Sequence, residues 1–287
     1  MLYLVNTVMK RLFTFGCSLT YYSWPTWADL ISPAFDDYYN FGVMGMGNQF
    51  IHHTVYEANS IFNFNENDTV IIMFTNPFRH DSFIIDPQDN HLRWQPRGFI
   101  FQPNNSNLYN DQWRQNFWSA EHSYMNMWLN MKSIKELLTA RSVNFKFLQG
   151  ISCQNIEQTG PVDVSNSAFI SPYYNQILDM FHVKESFLEW ANLTFDKSEF
   201  YAFADTGIDQ HPTINMHGSY ALKHLHEFCN DNTLKHIDLL HNSIDLSEQS
   251  ANWQNNEFLR IRGKKVGSVC NWQYKVTNSV GIETFKN

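Results

Sequence analysis

Apolar and polar positions follow two regimes along the chain. Short, nearly unbroken apolar runs end in glycine or asparagine, while longer stretches repeat an apolar residue every three or four positions. KRLFTFG (10–16) belongs to the first kind and predicts a buried strand closed by Gly16. WPTWADLIS (24–32) is a short helical candidate, with Pro25 suited to a first turn. A short strand around 37–41 leads into a glycine-rich loop with Gly42, Gly45 and Gly47, and a helix is predicted from about 48 to 62. DTVIIMFTN (68–76) is the clearest strand: β-branched and apolar, the pattern of a strand covered on both faces. Strand, helix, strand, helix, strand is the order of an α/β fold with a parallel sheet.

Residues 77–111 break this pattern. They are rich in Pro, Asn, Asp, Gln and aromatics, and read as a long loop-like insertion over the sheet edge. Phe78, Phe83, Trp94, Phe99, Phe101 and Tyr109 within it suit either substrate contact or a satellite hydrophobic cluster. From about 112 to 141, Trp113, Phe117, Ala120, Tyr124, Trp128, Met131, Ile134 and Leu138 recur at helical spacing. VNFKFLQG (143–150) predicts the next strand, 173–190 a helix, and a further helix starts near Met216. Beyond residue 230 the pattern suggests a helix near 246–260 and a strand-like tail. The expected organisation is an extension over 1–8, a domain over 9–229 carrying the insertion 77–111, and a C-terminal extension over 230–287.

Composition narrows the function classes. The 287 residues are 43% hydrophobic, enough for one large domain. Only 17% are charged, the net charge is −8, and no basic block exceeds short Lys/Arg pairs. Electrostatically driven nucleic-acid binding needs a clustered basic face and is excluded. No stretch approaches the ~18 apolar residues of a membrane helix. In MLYLVNTVMKRLF the charges follow the apolar run, the reverse of a secretory signal, so neither a signal peptide nor a membrane partner is expected. Cys17, Cys153, Cys229 and Cys270 are widely spaced, which points to free thiols in a reducing compartment.

Four short stretches carry candidate chemistry. Ser18 follows the first strand, where functional groups of open α/β sheets gather. Asp209-Gln210-His211-Pro212 places a histidine two residues after a carboxylate able to orient it. Gly45 lies in a strand-to-helix loop that lets backbone N–H groups approach a substrate. Asn76 ends the strongest strand, where its amide can donate to an oxyanion. Taken singly, each has a commoner structural reading: a capping serine, an Asx turn, a tight turn, and a turn-forming asparagine before Pro77. Cys17 points away from Ser18 if the strand continues, and reads as a small buried residue. His211, His217, His224 and His226 contain no pair at the four-residue spacing that shares one ion, and no HExxH is present, so no metal or cofactor is expected.

In their order, these residues resemble the SGNH (GDSL-like) hydrolase family, in which Ser, Gly, Asn and His come in four separate blocks. GCSLT (16–20) is similar to the GDSL block, with Cys17 in the place of Asp. NFGVMG (40–45) resembles the second block. FTNP (74–77) resembles the GxND block, with Phe74 and Pro77 where that block has Gly and Asp. DQHP resembles the last block, its Asp-x-His one residue shorter than the familiar spacing. The resemblance covers about 10–76 and 200–228, and GCSxT with an upstream MKR is also similar to bacteriophage-encoded SGNH-like proteins. It implies a three-layer α/β/α sandwich with a mostly parallel central sheet (SGNH/flavodoxin-like), a long insertion after the third strand and a C-terminal extension. It further implies a serine esterase acting on a short acyl ester of a small molecule or glycan, O-acetyl included, in a host cytoplasm or on a virion. Ser18 would be the nucleophile, His211 the base, and Asp209 the acid with Asp205 as alternative. The N–H groups of Ser18 and Gly45 and the Asn76 amide would form the oxyanion hole. A non-catalytic glycan-binding or virion-associated protein and an acyltransferase are the alternatives, and the oligomeric state stays open. The altered third block leads to one local expectation, an Arg79–Asp81 ion pair that rebuilds the loop.

Overall fold

The computed structural model describes residues 9–22, 24–85, 92–100, 109–153, 168–200, 202–203, 207–208, 210–243, 266–267, 274–277 and 281–284. The N-terminal stretch 1–8, the two carboxylates Asp205 and Asp209, and the helix expected near 246–260 lie outside the described residues. In chain order the elements begin with β1 (Arg11–Gly16), α1 (Trp27–Ile31), β2 (Asp37–Gly42), α2 (Asn48–Phe62) and β3 (Asp68–Phe74). Then come β4 (Arg79–Ile85), β5 (Leu92–Phe99), α3 (Asp111–Phe117), α4 (Ala120–Ala140), β6 (Asn144–Gln149), α5 (Ser171–Met180) and α6 (Phe187–Thr194). The remainder is β7 (Ala202–Phe203), β8 (Gly207–Ile208), α7 (Ile214–His224), α8 (Asp231–Ser243), β9 (Val266–Gly267), β10 (Tyr274–Thr277) and β11 (Gly281–Thr284).

The central sheet has the order β6-β3-β1-β2-β9, and every pairing in it is parallel. Its strands alternate between two apolar layers, as a period of two requires. Phe13, Phe15, Val70, Ile72, Phe74 and Phe147 face α2, α4 and α5. Leu12, Ile71, Met73 and Leu148 face α1, α6 and α7. This is an α/β fold with helices on both sides of the sheet. β2 and β3 flank β1, so the chain leaves β1 for opposite directions and a crevice opens at the carboxyl end of β1.

Three sequence expectations change. The stretch 77–111, expected to be structureless, holds the antiparallel β4–β5 hairpin, with Ser82 opposite Gln95 and Phe83 opposite Trp94. β5 also pairs with β10, and β10 with β11, so segments beyond residue 230 join this second sheet while β9 joins the first. The single helix expected over 112–141 is divided at Trp118–Ser119, where Ser119 accepts the His122 N–H and starts α4. The helix expected over 173–190 is likewise two. The connection between α5 and α6 runs beside β6, with Phe147 and His182 exchanging hydrogen bonds. Phe181 then packs in one layer and Val183 in the other, so the chain crosses the sheet edge here and no helix continues through it.

Candidate active site

Three loops meet at the carboxyl end of the central sheet. After β1 the chain turns at once: Thr20 and Tyr21 both donate to the Cys17 carbonyl, at 2.9 and 3.2 Å. The turn is so close to the sheet that a Cβ on Gly16 would lie 2.1 Å from Thr20 Oγ1. Cys17 is buried in the layer formed with α1, while Ser18 stands on the turn. The Thr20 carbonyl accepts from Asn40 Nδ2 (2.9 Å) and Thr26 Oγ1 (2.6 Å). Asn40 also takes the Gly42 N–H, and Tyr38 links Asn40 to Asp29. This buried polar set fixes the Ser18 turn from behind.

The second loop, after β2, is tied to the first because Val43 N donates to Gly16 O at 3.1 Å. Gly45 has a φ of 79°, a left-handed conformation that favours glycine. α2 starts directly afterwards with Gly47 as its N-cap, a residue that has no side chain to cap with. Asp81 of β4 replaces it: its carboxylate accepts from Gly47 N (2.7 Å) and Phe50 N (3.0 Å). Arg79 donates to Met46 O at 3.2 Å and lies over the Phe99 ring. The expected Arg79–Asp81 ion pair does not form; both residues instead grip the backbone of the Gly45–Gly47 turn, where each finds a partner of opposite polarity. Burial pushes the Asp81 carboxyl up to about 6, against the two backbone N–H groups and the Arg79 charge that hold it down.

The third loop follows β3. Asn48 exchanges two hydrogen bonds with Thr75 backbone, both at 2.9 Å, and so joins the start of α2 to the end of β3. Asn76 is fully buried. Its Oδ1 accepts from Phe78 N, the Asx-turn geometry, and its Nδ2 donates to Ser152 O, both at 2.9 Å. One of its two amide hydrogens is therefore engaged in tying the β3 loop to the segment after β6. Among the described residues, the N–H groups of Ser18 and Gly45 make no hydrogen bond.

His211 arrives from the far end of the chain. Its Nε2 is 2.9 Å from Ser18 Oγ, across 193 residues of sequence. The imidazole stacks on Tyr22 (3.9 Å between centroids, 19° between planes), and Tyr22 packs edge-on against Trp24. Trp24 Nε1 donates to the Pro212 carbonyl at 2.9 Å, clamping the residue after the histidine. One turn into α7, buried His217 accepts the Trp27 N–H on Nδ1 at 3.1 Å, which locks α7 to the start of α1. Burial, with a further contribution from His211, pushes His217 down to about 3, so it is neutral.

No family model matches the chain, and no curated protein matches it. Among solved structures it is similar to a member of the lipolytic protein G-D-S-L family from Veillonella parvula DSM 2008. The two share 14% identity and a TM-score of 0.40, over 76% of this chain and 97% of that chain.

The sequence-derived residues thus fall into three groups, the third being Asp209 and Asp205, which lie outside the described residues. Ser18 and His211 are brought together. Gly45 and Asn76 lie on the two neighbouring loops, Asn76 with a structural bond of its own. Tyr22, Trp24, Asn40, Asn48 and the capping role of Asp81 were not anticipated. Asn40 had a signal, a lone amide inside the apolar strand YYNFG, and such a residue needs buried partners. Among the described residues no group of three or more His, Cys, Asp or Glu could hold a metal ion, and no helix is long and apolar enough to cross a membrane.

Proposed function

We propose that this chain is a serine esterase of the SGNH type that hydrolyses short acyl esters, such as O-acetyl groups, through an acyl-enzyme on Ser18. The observation that carries the reading is the 2.9 Å approach of His211 Nε2 to Ser18 Oγ. In the reaction Ser18 Oγ attacks the ester carbonyl while His211 Nε2 takes its proton. The carbonyl oxygen becomes an oxyanion facing the N–H groups of Ser18 and Gly45 and the remaining Asn76 amide hydrogen. The imidazolium then returns the proton to the leaving alcohol, and water, activated by the same nitrogen, releases the acid and frees Ser18. Asp209 is the proposed orienter of His211, with Asp205 as the alternative. The stack on Tyr22 supports the same ring orientation.

The test is hydrolysis of a chromogenic acetyl ester at mildly alkaline pH by the wild type, Ser18→Ala and His211→Ala. The expected outcome is an active wild type and a loss of at least ~1,000-fold in kcat in each variant. Activity that survives both substitutions overturns the assignment. The bond from Asn76 to Ser152 favours a second reading, a non-catalytic glycan-binding protein on this scaffold, and an inactive wild type would select it.

A further inference from the structure

A second cleft, of about 150 Å³, lies between the start of α2, the β4–β5 hairpin and the α3–α4 corner. It includes Pro77 of the loop that carries Asn76, and Asn48 of α2, which is bonded to that loop at Thr75. One wall is a row on a single face of α4: His122, Asn126 and Asn130 follow one another at four-residue intervals. Asn126 and Asn130 are half-buried, yet none of these three side chains has a hydrogen-bond partner among the described residues. Gln49 faces the same space from α2 with its amide equally unengaged. Arg79 contributes a buried Nε with no partner. Polar side chains lining one cleft, with the Asn126 and Asn130 amides partly desolvated and unpaired, are the polar half of a ligand site.

The other half is aromatic. Trp113 is held rigidly against Tyr109 (4.7 Å) and His80 (5.6 Å), and Tyr109 and His80 are themselves bonded at 2.9 Å. Next to it Phe117, 74% exposed, stands at the rim. Among the described residues the one carboxylate of the cleft, Asp81, is taken up by the α2 backbone. A ligand with an apolar C–H face for the rings and a rim of hydroxyl groups, each able to donate and accept, matches these walls. A net charge of −8 offers no attraction to a phosphate-bearing ring. The volume is below the ~300–1,000 Å³ that drug-sized ligands fill, so the cleft takes a single ring.

We propose that this cleft is a binding site for one pyranose unit of a neutral glycan. It stands whether or not Ser18 is catalytic. The experiment uses the full-length Ser18→Ala protein and calorimetric titration with β-1,4-linked tetrasaccharides of glucose, xylose and N-acetylglucosamine. The expected result is saturable binding of at least one of them at or below ~1 mM. Asn126→Ala and Trp113→Ala should each weaken it at least ~10-fold. Trp113→Phe, which keeps a ring, serves as the folded control and should retain binding. No saturable binding of any of the three, or binding that both alanine variants leave unchanged, overturns the inference. An active esterase whose Ser18→Ala form ignores all three sugars removes this site and leaves the esterase reading standing. Sugar binding by a protein whose wild type is inactive does the reverse.

Discussion

At the scale of single residues, the candidate site is defined by what holds the histidine. Its Nε2 meets Ser18, one ring face lies on Tyr22, and the next residue is clamped by Trp24. An imidazole displaced by even an ångström loses its line to the serine, and displacements of that size cost up to ~100-fold in rate. Tyr22→Ala is therefore expected to lower kcat for the acetyl ester by ~10- to 100-fold with little change in KM, and Tyr22→Phe to restore most of it. A Tyr22→Ala enzyme with wild-type kcat would remove the ring from the site. The pairing of Ser18 with His211 was legible in the sequence because a hydroxyl and an imidazole are the residue types the proposed chemistry would use. Tyr22 was not, because one tyrosine among 13 gains a role only from the ring that comes to lie on it.

At the scale of elements, the informative case is α2. Its boundaries follow from its apolar repeat, but its N-cap is a glycine and its local sequence supplies no capping side chain. Asp81 from β4 satisfies the N-cap and third-residue N–H groups together and places its charge at the positive end of the helix. A Cβ on Gly47 would come within 2.9 Å of Arg79 O, so glycine at the cap and Asp81 opposite it belong to one arrangement. Because burial raises the Asp81 carboxyl to about 6, the folded state holds this proton more tightly than the unfolded chain. Its contribution to stability is complete below the unfolded value of about 4 and is lost as pH rises through 6. Unfolding free energies measured between pH 4 and pH 7 for wild type and Asp81→Asn should differ by an amount that falls by ~2 kcal/mol over that range. A pH-independent difference would show that Asp81 does not titrate there.

At the scale of the whole molecule, the site depends on two segments from opposite ends of the chain lying together. The α1–α7 contact supplies that, through the bond from Trp27 N to His217 and the packing of Met216, Tyr220 and Ala221 against Trp27 and Ala28. His217 is neutral in the folded state and free to protonate in the unfolded one. Its contribution is fully present above the unfolded pKa of about 6.5 and is lost as pH falls toward 3, the opposite sign to Asp81. Urea unfolding at pH 7.5 and pH 5 should show the wild type losing ~2 kcal/mol more than His217→Gln on acidification. Equal losses would place the imidazole in water.

Local patterning alone encodes the strands β1, β2, β3 and β6, the helix α2 and the α/β class, because periodicity and glycine punctuation act within a few residues of each other. It also determined which residue types stand at the strand ends. The remaining features come from the packing of the whole chain. It joined β10 and β11, from beyond residue 230, to the hairpin inside 77–111. It broke the 173–190 helix where the chain crosses from one apolar layer to the other. It assigned Asp81 to the backbone of α2 in place of Arg79, and set His211 against Ser18 and Tyr22. Each of these joins residues far apart in sequence, and such contacts depend on distance in space, which no local pattern encodes.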